Sequence, residues 1–202
     1  MNTKYEFTGQ TKEWAGRTLK QIRALTSFGV VVKGEIGGWI EAETNLDVSG
    51  DAWVYGDALV SGDALVSGDA LVSGDAQVYG NALVYGDALV YGNARVYGNA
   101  RVYGNAQVYG NAQVYGNALV YGDASFLLVG PMGSRSAFLT VHADAKIGIR
   151  FSTGCFSGSE SDFRESVKQT HGDNEYGKQY SAAADFALLL VKPATPEEQE
   201  SK

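Results

Sequence analysis

A six-residue word, Val-(Tyr/Ser)-Gly-(Asp/Asn)-Ala-x, runs thirteen times without a break from Val48 to Ser125, and the stretch from Val90 to Gln107 reads VYGNARVYGNARVYGNAQ. Repetition at a short fixed period decides an architecture before local propensities do. Within the word, Ala and the next Val stand two apart, so in an extended segment both point to one side, while x and the Tyr or Ser point to the other. Gly followed by Asp or Asn tolerates positive φ and lets the chain turn a corner every six residues. Strand plus corner, repeated, makes a coil. Thirteen hexads, with strands stacked about 4.8 Å apart, predict a prism roughly 20 Å long whose narrow interior suits Ala and Val.

The array resembles the hexapeptide repeat of left-handed β-helices, in which three hexads make one triangular coil of eighteen residues. The left hand is implied by that resemblance, since general crossover chirality favours the right. The expected fold is mainly β: an N-terminal cap segment (1–29), a left-handed parallel β-helix (30–125), a loop and irregular β segment (126–158), a C-terminal two-helix α cap (159–192) and a disordered tail (193–202).

Counting back by six from Val48 gives Ala42, Ile36 and Val30, with Leu46, Ile40, Gly34 and Phe28 at the partner sites, which predicts one more, degenerate coil. Phe28, Trp39 and Ile40 are expected to close the open end, because a terminal coil otherwise exposes core and unpaired strand edges. The first residues, YEF and RTLKQIRAL, suit either a capping strand or a short helix. Downstream, FLLVGPMGSRSAF breaks the count, and the hexad-like VHADAKI is out of phase, so 129–137 reads as a loop excursion. Ser159 or Ser161 is expected to cap a first helix with Phe163 and Val167 on one face, ending near His171-Gly172. Asn174 is expected to cap a second helix that buries Tyr176, Tyr180, Ala183, Ala184, Ala187, Leu188 and Val191.

Eighteen-residue spacing assigns the outward x positions to three faces. The first reads Asp47, Leu65, Leu83, Arg101, Leu119; the second Trp53, Leu71, Leu89, Gln107, Ser125; the third Leu59, Gln77, Arg95, Gln113. A solvated face has no reason to repeat Leu, so the first two are expected to be covered by the C-terminal helices or by another subunit, the third to be wet. Nine of the twelve tyrosines occupy the other outward site and should stack as ring ladders, a bracing device before it is a binding platform. The corner ladder Asp51, Asp69, Asp87, Asn105, Asp123 reflects backbone tolerance of the corner rather than a metal site.

Composition narrows the function. A net charge of −7 without a Lys/Arg cluster makes direct nucleic-acid binding an unfavoured reading. The single cysteine excludes an internal disulfide framework, and no Cys/His metal spacing is present. With no apolar leader or membrane-length apolar run in these residues, a cytoplasmic location in a bacterial host cell is expected. The least repetitive segments are the best site candidates. GPMGSRSAF places Gly130, Gly133, Ser134 and Arg135 in one loop, and TGCFSG places Cys155 and Phe156 beside glycines. Glycine amides with an arginine fork can hold a small anion. His142 and His171 are read as structural, the latter at a helix C-terminus where a cation is favoured.

Taken together, GRTL…IRAL…GEIGGWIE, the VYGNA hexads, GPMGSR and GCFSGS-E-x-x-F-x-x-x-V-x-x-x-HG resemble a family of phage and prophage hexapeptide-repeat proteins that are labelled transferases from the repeat alone. The resemblance implies phage association and an accessory binding role, and points to Gly130, Pro131, Gly133, Ser134, Arg135, Gly154, Cys155, Phe156 and His171. The favoured reading is a non-enzymatic binding or scaffold protein that contacts a host or phage protein, or a small anionic ligand, through 129–137 and the helices, without a cofactor. A second is an acyltransferase using acyl-CoA, because many hexapeptide-repeat β-helices are trimeric acyltransferases with a His base. A third is an acidic nucleic-acid mimic, from the array's charge of −5 (seven Asp, two Arg). Homo-oligomers, dimeric or trimeric, fit the leucine stripes.

Overall fold

The structure is a computed structural model that describes residues 2–121, 126–144 and 146–193. Its centre is a parallel β-solenoid of about five coils. Every Ala from Ala52 to Ala118 and every Val from Val54 to Val120, in steps of six, is wholly buried. Rungs stack eighteen residues apart, Arg95 on Gln77 and Val96 on Val78, in three sheets. The interior is filled by methyl groups alone, and each buried Val contributes about 1.5–3 kcal/mol. Successive rungs are tied by bonds such as Arg95 N–H to Ala112 O, 2.8 Å. The corner glycines are required twice over: Gly98 has φ +74°, and a Cβ there would meet Gly116 N of the next coil at 3.0 Å.

The outward tyrosines stack as predicted. Ring centroids lie 4.9 Å apart in Tyr79–Tyr97 and Tyr97–Tyr115, 5.0 Å in Tyr85–Tyr103 and 5.4 Å in Tyr91–Tyr109. Interior ring faces are therefore spent on one another, and no sugar or base can insert between them. At the corners, Asn81 donates to Asn99 Oδ1 at 3.1 Å, an amide ladder of the same kind.

The N-terminal end departs from the expected register. Ile40 pairs with Val60 and Leu46 with Val66, twenty residues apart instead of eighteen. The two extra residues are Val48 and Ser49, because Asp47 N–H already bonds Val66 O and Gly50 already abuts Gly68. Val48 is thus an exposed corner residue, and Val30 and Ile36, also expected inside, are 75% and 50% exposed. Gly34 is exposed as well. In place of a degenerate coil, an antiparallel hairpin of β1 (Tyr5–Trp14) and β2 (Arg17–Ala24) joins β3 (Ile36–Ile40), and β3 pairs with the rung Leu59–Val60. The choice between strand and helix resolves to a strand hairpin. Tyr5, Ile22 and Ala24 plug the tube, and Trp53, expected on an outward face, is sealed beneath Phe28 (5.4 Å) and Tyr5 (6.3 Å).

At the other end the rung Ala118–Tyr121 pairs antiparallel with Ala137–Asp144, which pairs in turn with Phe126–Met132 and Gly148–Thr153; Phe156–Gly158 completes the sheet. Residues 141–144 are therefore hairpin strand, and Lys146 and Ile147 lie in a turn before the next strand. Most of the expected excursion 129–137 is strand too, with only Gly133–Ser136 forming the turn. Ser159 rather than Ser161 caps α1 (Glu160–His171): its Oγ accepts from Asp162 N at 3.3 Å, and Asp162 Oδ2 accepts from Ser159 N at 3.1 Å. Asn174 caps α2 (Glu175–Leu190).

Both helices pack on this added sheet, in a core of Leu139, Val141 and Phe151 with Phe163, Val167, Ala184 and Ala187. Tyr176, expected in that core, is exposed. The helices thus lie against the added sheet, while along the stripes Leu65, Leu71, Leu83 and Leu89 stay half-buried and Leu119 is buried where the added sheet pairs with the last rung. The third face is covered at its start, where Leu59 is buried and Trp14 meets Tyr79 edge-on at 5.4 Å, and at its far end, where Gln113 and Tyr115 meet the added sheet; Arg95 between them is exposed. Ser125, Asp123 and the expected tail beyond Pro193 lie outside the described residues. Among the described residues no helix is long and apolar enough to cross a membrane.

Candidate functional site

The helices do not seal the sheet completely. Between the turn Gly133–Ser136, the turn Gly154–Cys155 and the facing helices lies a cleft of about 220 Å³. Its floor is aromatic: Phe163 stands 5.6 Å from Phe156 and 6.0 Å from Tyr180. Its rim carries Arg135, Ser134, Ser166, Thr170 and His171. Helical spacing supplies one side, because Phe163, Ser166, Val167, Thr170 and His171 follow at three- and four-residue intervals on α1. The His171 ring lies over Tyr180 at 5.6 Å, 23° from parallel.

Of the residues singled out in the sequence, Ser134, Arg135, Gly154, Cys155, Phe156 and His171 meet on this cleft although they span nearly forty positions. The glycines play a different part from the one expected. Gly133 donates its amide to Gln179 Oε1 (3.2 Å), and a Cβ there would run into the Tyr180 hydroxyl, so the residue is needed to let α2 close on the turn. Gly130, cis to Pro131, packs against Ala137 O and Phe138 within the hairpin and does not line the cleft. A cradle of glycine amides is thus replaced by side chains. Thr153, Ser166, Thr170 and Tyr180 were not legible as site residues. The Ser166/Thr170 pair, polar at i, i+4 beside the Phe163/Val167 stripe, is the only signal that marks them.

Cys155 is exposed and unpaired in any disulfide. Among the described residues no group of three or more His, Cys, Asp or Glu side chains could hold a metal ion. His142 is inaccessible: it is fully buried, its Nδ1 lies 2.9 Å from Ala143 O, and its Nε2 has no partner among the described residues. Burial pushes its pKa down to about 4, against the opposing effects of the Ala143 carbonyl and Asp144. A ring sealed in this way cannot serve as a general base toward a bound substrate.

The same burial makes His142 an acid-sensitive point. A folded-state pKa below the unfolded value means that the unfolded chain binds the extra proton, so the contribution is whole above about pH 6.5 and lost as pH falls toward about 4. The full loss is on the order of 3 kcal/mol. Urea midpoints of the wild type are therefore expected to fall between pH 7 and pH 5 by more than those of His142→Gln. Equal falls in the two proteins would remove His142 as the cause.

These features define a β-solenoid repeat protein that carries a C-terminal sheet-and-helix module with a cleft. The repeat itself matches a family model described as the YdcK beta solenoid repeat, over residues 52–68, 76–92, 88–104, 94–110, 100–122 and 112–125. The likeness lies within the hexad array and does not extend to the cleft. A search of curated proteins finds no match.

Proposed function

We propose that the chain is a non-enzymatic binding protein in which the solenoid is a rigid spine and the C-terminal cleft holds a small anionic ligand with Arg135 as its counter-charge. One observation carries this reading: the thirteen residues lining the cleft include an arginine and a histidine but no carboxylate, in a chain of net charge −7. Arg135 has no ion-pair partner among the described residues. Its guanidinium offers a planar fork to a carboxylate or phosphate, while Phe156, Phe163 and Tyr180 take the apolar body of the ligand. An accessory role in a phage-carrying bacterial cytoplasm belongs to the same reading, supported by the resemblance of the non-repeat segments. Self-association is supported by the half-buried leucine stripes. Acyl transfer from acyl-CoA has less in its favour, since His142 is sealed and the His171 ring lies against Tyr180. Mimicry of nucleic acid is weakened by the corners, where aspartate gives way to asparagine from Asn93 to Asn117.

Calorimetric titration with benzoate and phenyl phosphate, against benzyl alcohol as the neutral control, tests the reading. Both anions are expected to bind saturably, and Arg135→Ala to weaken them at least tenfold, about 1.4 kcal/mol. Anions that bind no better than benzyl alcohol would sink it.

A further inference from the structure

A second cleft, of about 210 Å³, adjoins the first and shares Ala137, Thr153 and Gly154 with it. It lies where the last rung of the third face, Gln113–Val114, meets the added sheet, and its lining contains no charged side chain. Its polar groups are the Asn111 and Gln113 carboxamides, the Tyr115 phenol and the hydroxyls of Thr140, Ser152 and Thr153, beside the Phe138 ring. Carboxamides and hydroxyls each donate and accept, so the lining suits a ligand whose own groups do both.

Two further observations concern unmet hydrogen-bonding capacity. In the rung below, Arg95 donates its N–H to Ala112 O of the next coil at 2.8 Å; the equivalent Gln113 N–H has no backbone partner among the described residues, because that sheet ends at this rung. Thr153, on the partition between the clefts, has a buried hydroxyl without a partner among the described residues. A free rung edge would ordinarily invite an added strand, but the Tyr115 hydroxyl reaching Phe156 O at 3.5 Å and Arg150 lying 3.8 Å from a Gly116 Cβ position close off its far side. What remains is space for a compact ring, below the roughly 300 Å³ at which drug-sized sites begin, while the two clefts together fall within the range of ligand sites.

Resting on the anion-binding reading of the first cleft, we infer that the two clefts form one groove for an acidic oligosaccharide. The charged group of one sugar pairs with Arg135 while its apolar face lies on Phe156 and Phe163. The hydroxyls of the neighbouring neutral sugar are bound by Gln113 and Asn111. The test is an array bearing uronate-, sialate- and phosphate-substituted oligosaccharides with their neutral counterparts, followed by titration of the tightest binder against benzoate. At least one acidic oligosaccharide is expected to bind tenfold or more tighter than benzoate and than its neutral counterpart. Gln113→Ala and, separately, Asn111→Ala should each lower the ratio of oligosaccharide to benzoate affinity at least tenfold, with folding checked by circular dichroism. An array without acidic binders, or a ratio unchanged in both variants, overturns the inference. If benzoate still binds through Arg135 in that case, the anion cleft stands without the groove; if benzoate fails too, both readings fall.

Discussion

Val96→Asp is expected to prevent stable folding of the central coils, whereas Tyr97→Asp, one residue along, should leave a folded solenoid with a lower unfolding midpoint. Val96 is wholly buried between Val78 and Val114, and no polar group inside the tube could pair with a carboxylate. Burying that charge without a partner belongs among the few mechanisms that cost more than about 4–5 kcal/mol. Stability in a solenoid is a near sum of coil and interface terms, so damage to a middle coil weakens the interfaces on both sides. Tyr97 faces outward and stacks on two rings at 4.9 Å. Its loss removes two contacts worth about 0.5–1.5 kcal/mol each, and the new carboxylate reaches water. Far-UV circular dichroism with urea titration distinguishes the two. If Tyr97→Asp proved the more damaging variant, the assignment of inside and outside would be wrong.

The inside of the tube was legible because one physical rule, alternation of side chains along a strand, acts identically at every hexad. Where two rules compete, lettering misleads. Val48-Ser49-Gly50-Asp51 spells the repeat faultlessly, yet its first two residues bulge at a corner because Leu46 and Ile40 are fixed from the other side by the hairpin. Buried Asn45, whose amide bonds Gly62 O at 2.9 Å and Ala64 O at 2.8 Å, locks that shifted register. Nothing in a hexad count can reveal a constraint imposed by residues 5–24. The helix starts were readable, with Asn174 capping the second and Ser159, one of two candidates, the first, because both satisfy the free N–H groups of a first turn by local chemistry alone. Of the two covers expected for the leucine stripes, the helices fall away for the opposite reason: which face a helix lies on depends on the antiparallel sheet inserted before it.

The cleft shows the same division. Arg135, Cys155 and His171 could be marked individually as polar or reactive residues in non-repeating segments. Their meeting depends on the docking of two helices on a sheet, and Thr153, Ser166, Thr170 and Tyr180 join the lining through that packing. Gly133 illustrates how a correct residue acquires a wrong role: an invitation to an anion in the sequence, it is in the fold the space into which the Tyr180 hydroxyl fits.

Asp144→Ala should then release the C-terminal module from the solenoid without unravelling the coils. Asp144 is fully buried at the joint, opposite Ala118 of the last rung, and bonds Arg150 Nε at 2.7 Å and the amides of Lys146 and Ile147 at 2.9 and 3.2 Å. Arg150 also donates to Ser157 Oγ at 3.0 Å, and only 16% of its side chain is exposed. Truncating the acid leaves a largely buried guanidinium without its counter-charge and takes the acceptor from two amides, a loss of about 3–5 kcal/mol. Because Trp14, Trp39 and Trp53 all lie at the N-terminal end, tryptophan fluorescence reports the first coils and not the joint. Hydrogen exchange is expected to quicken across 137–190 in the variant, while the fluorescence-detected urea midpoint stays near that of the wild type and the affinity for benzoate falls. Exchange unchanged in 137–190 would mean that the sheet is held to the solenoid by its backbone pairing alone, and that the Asp144–Arg150 pair contributes little to placing the cleft.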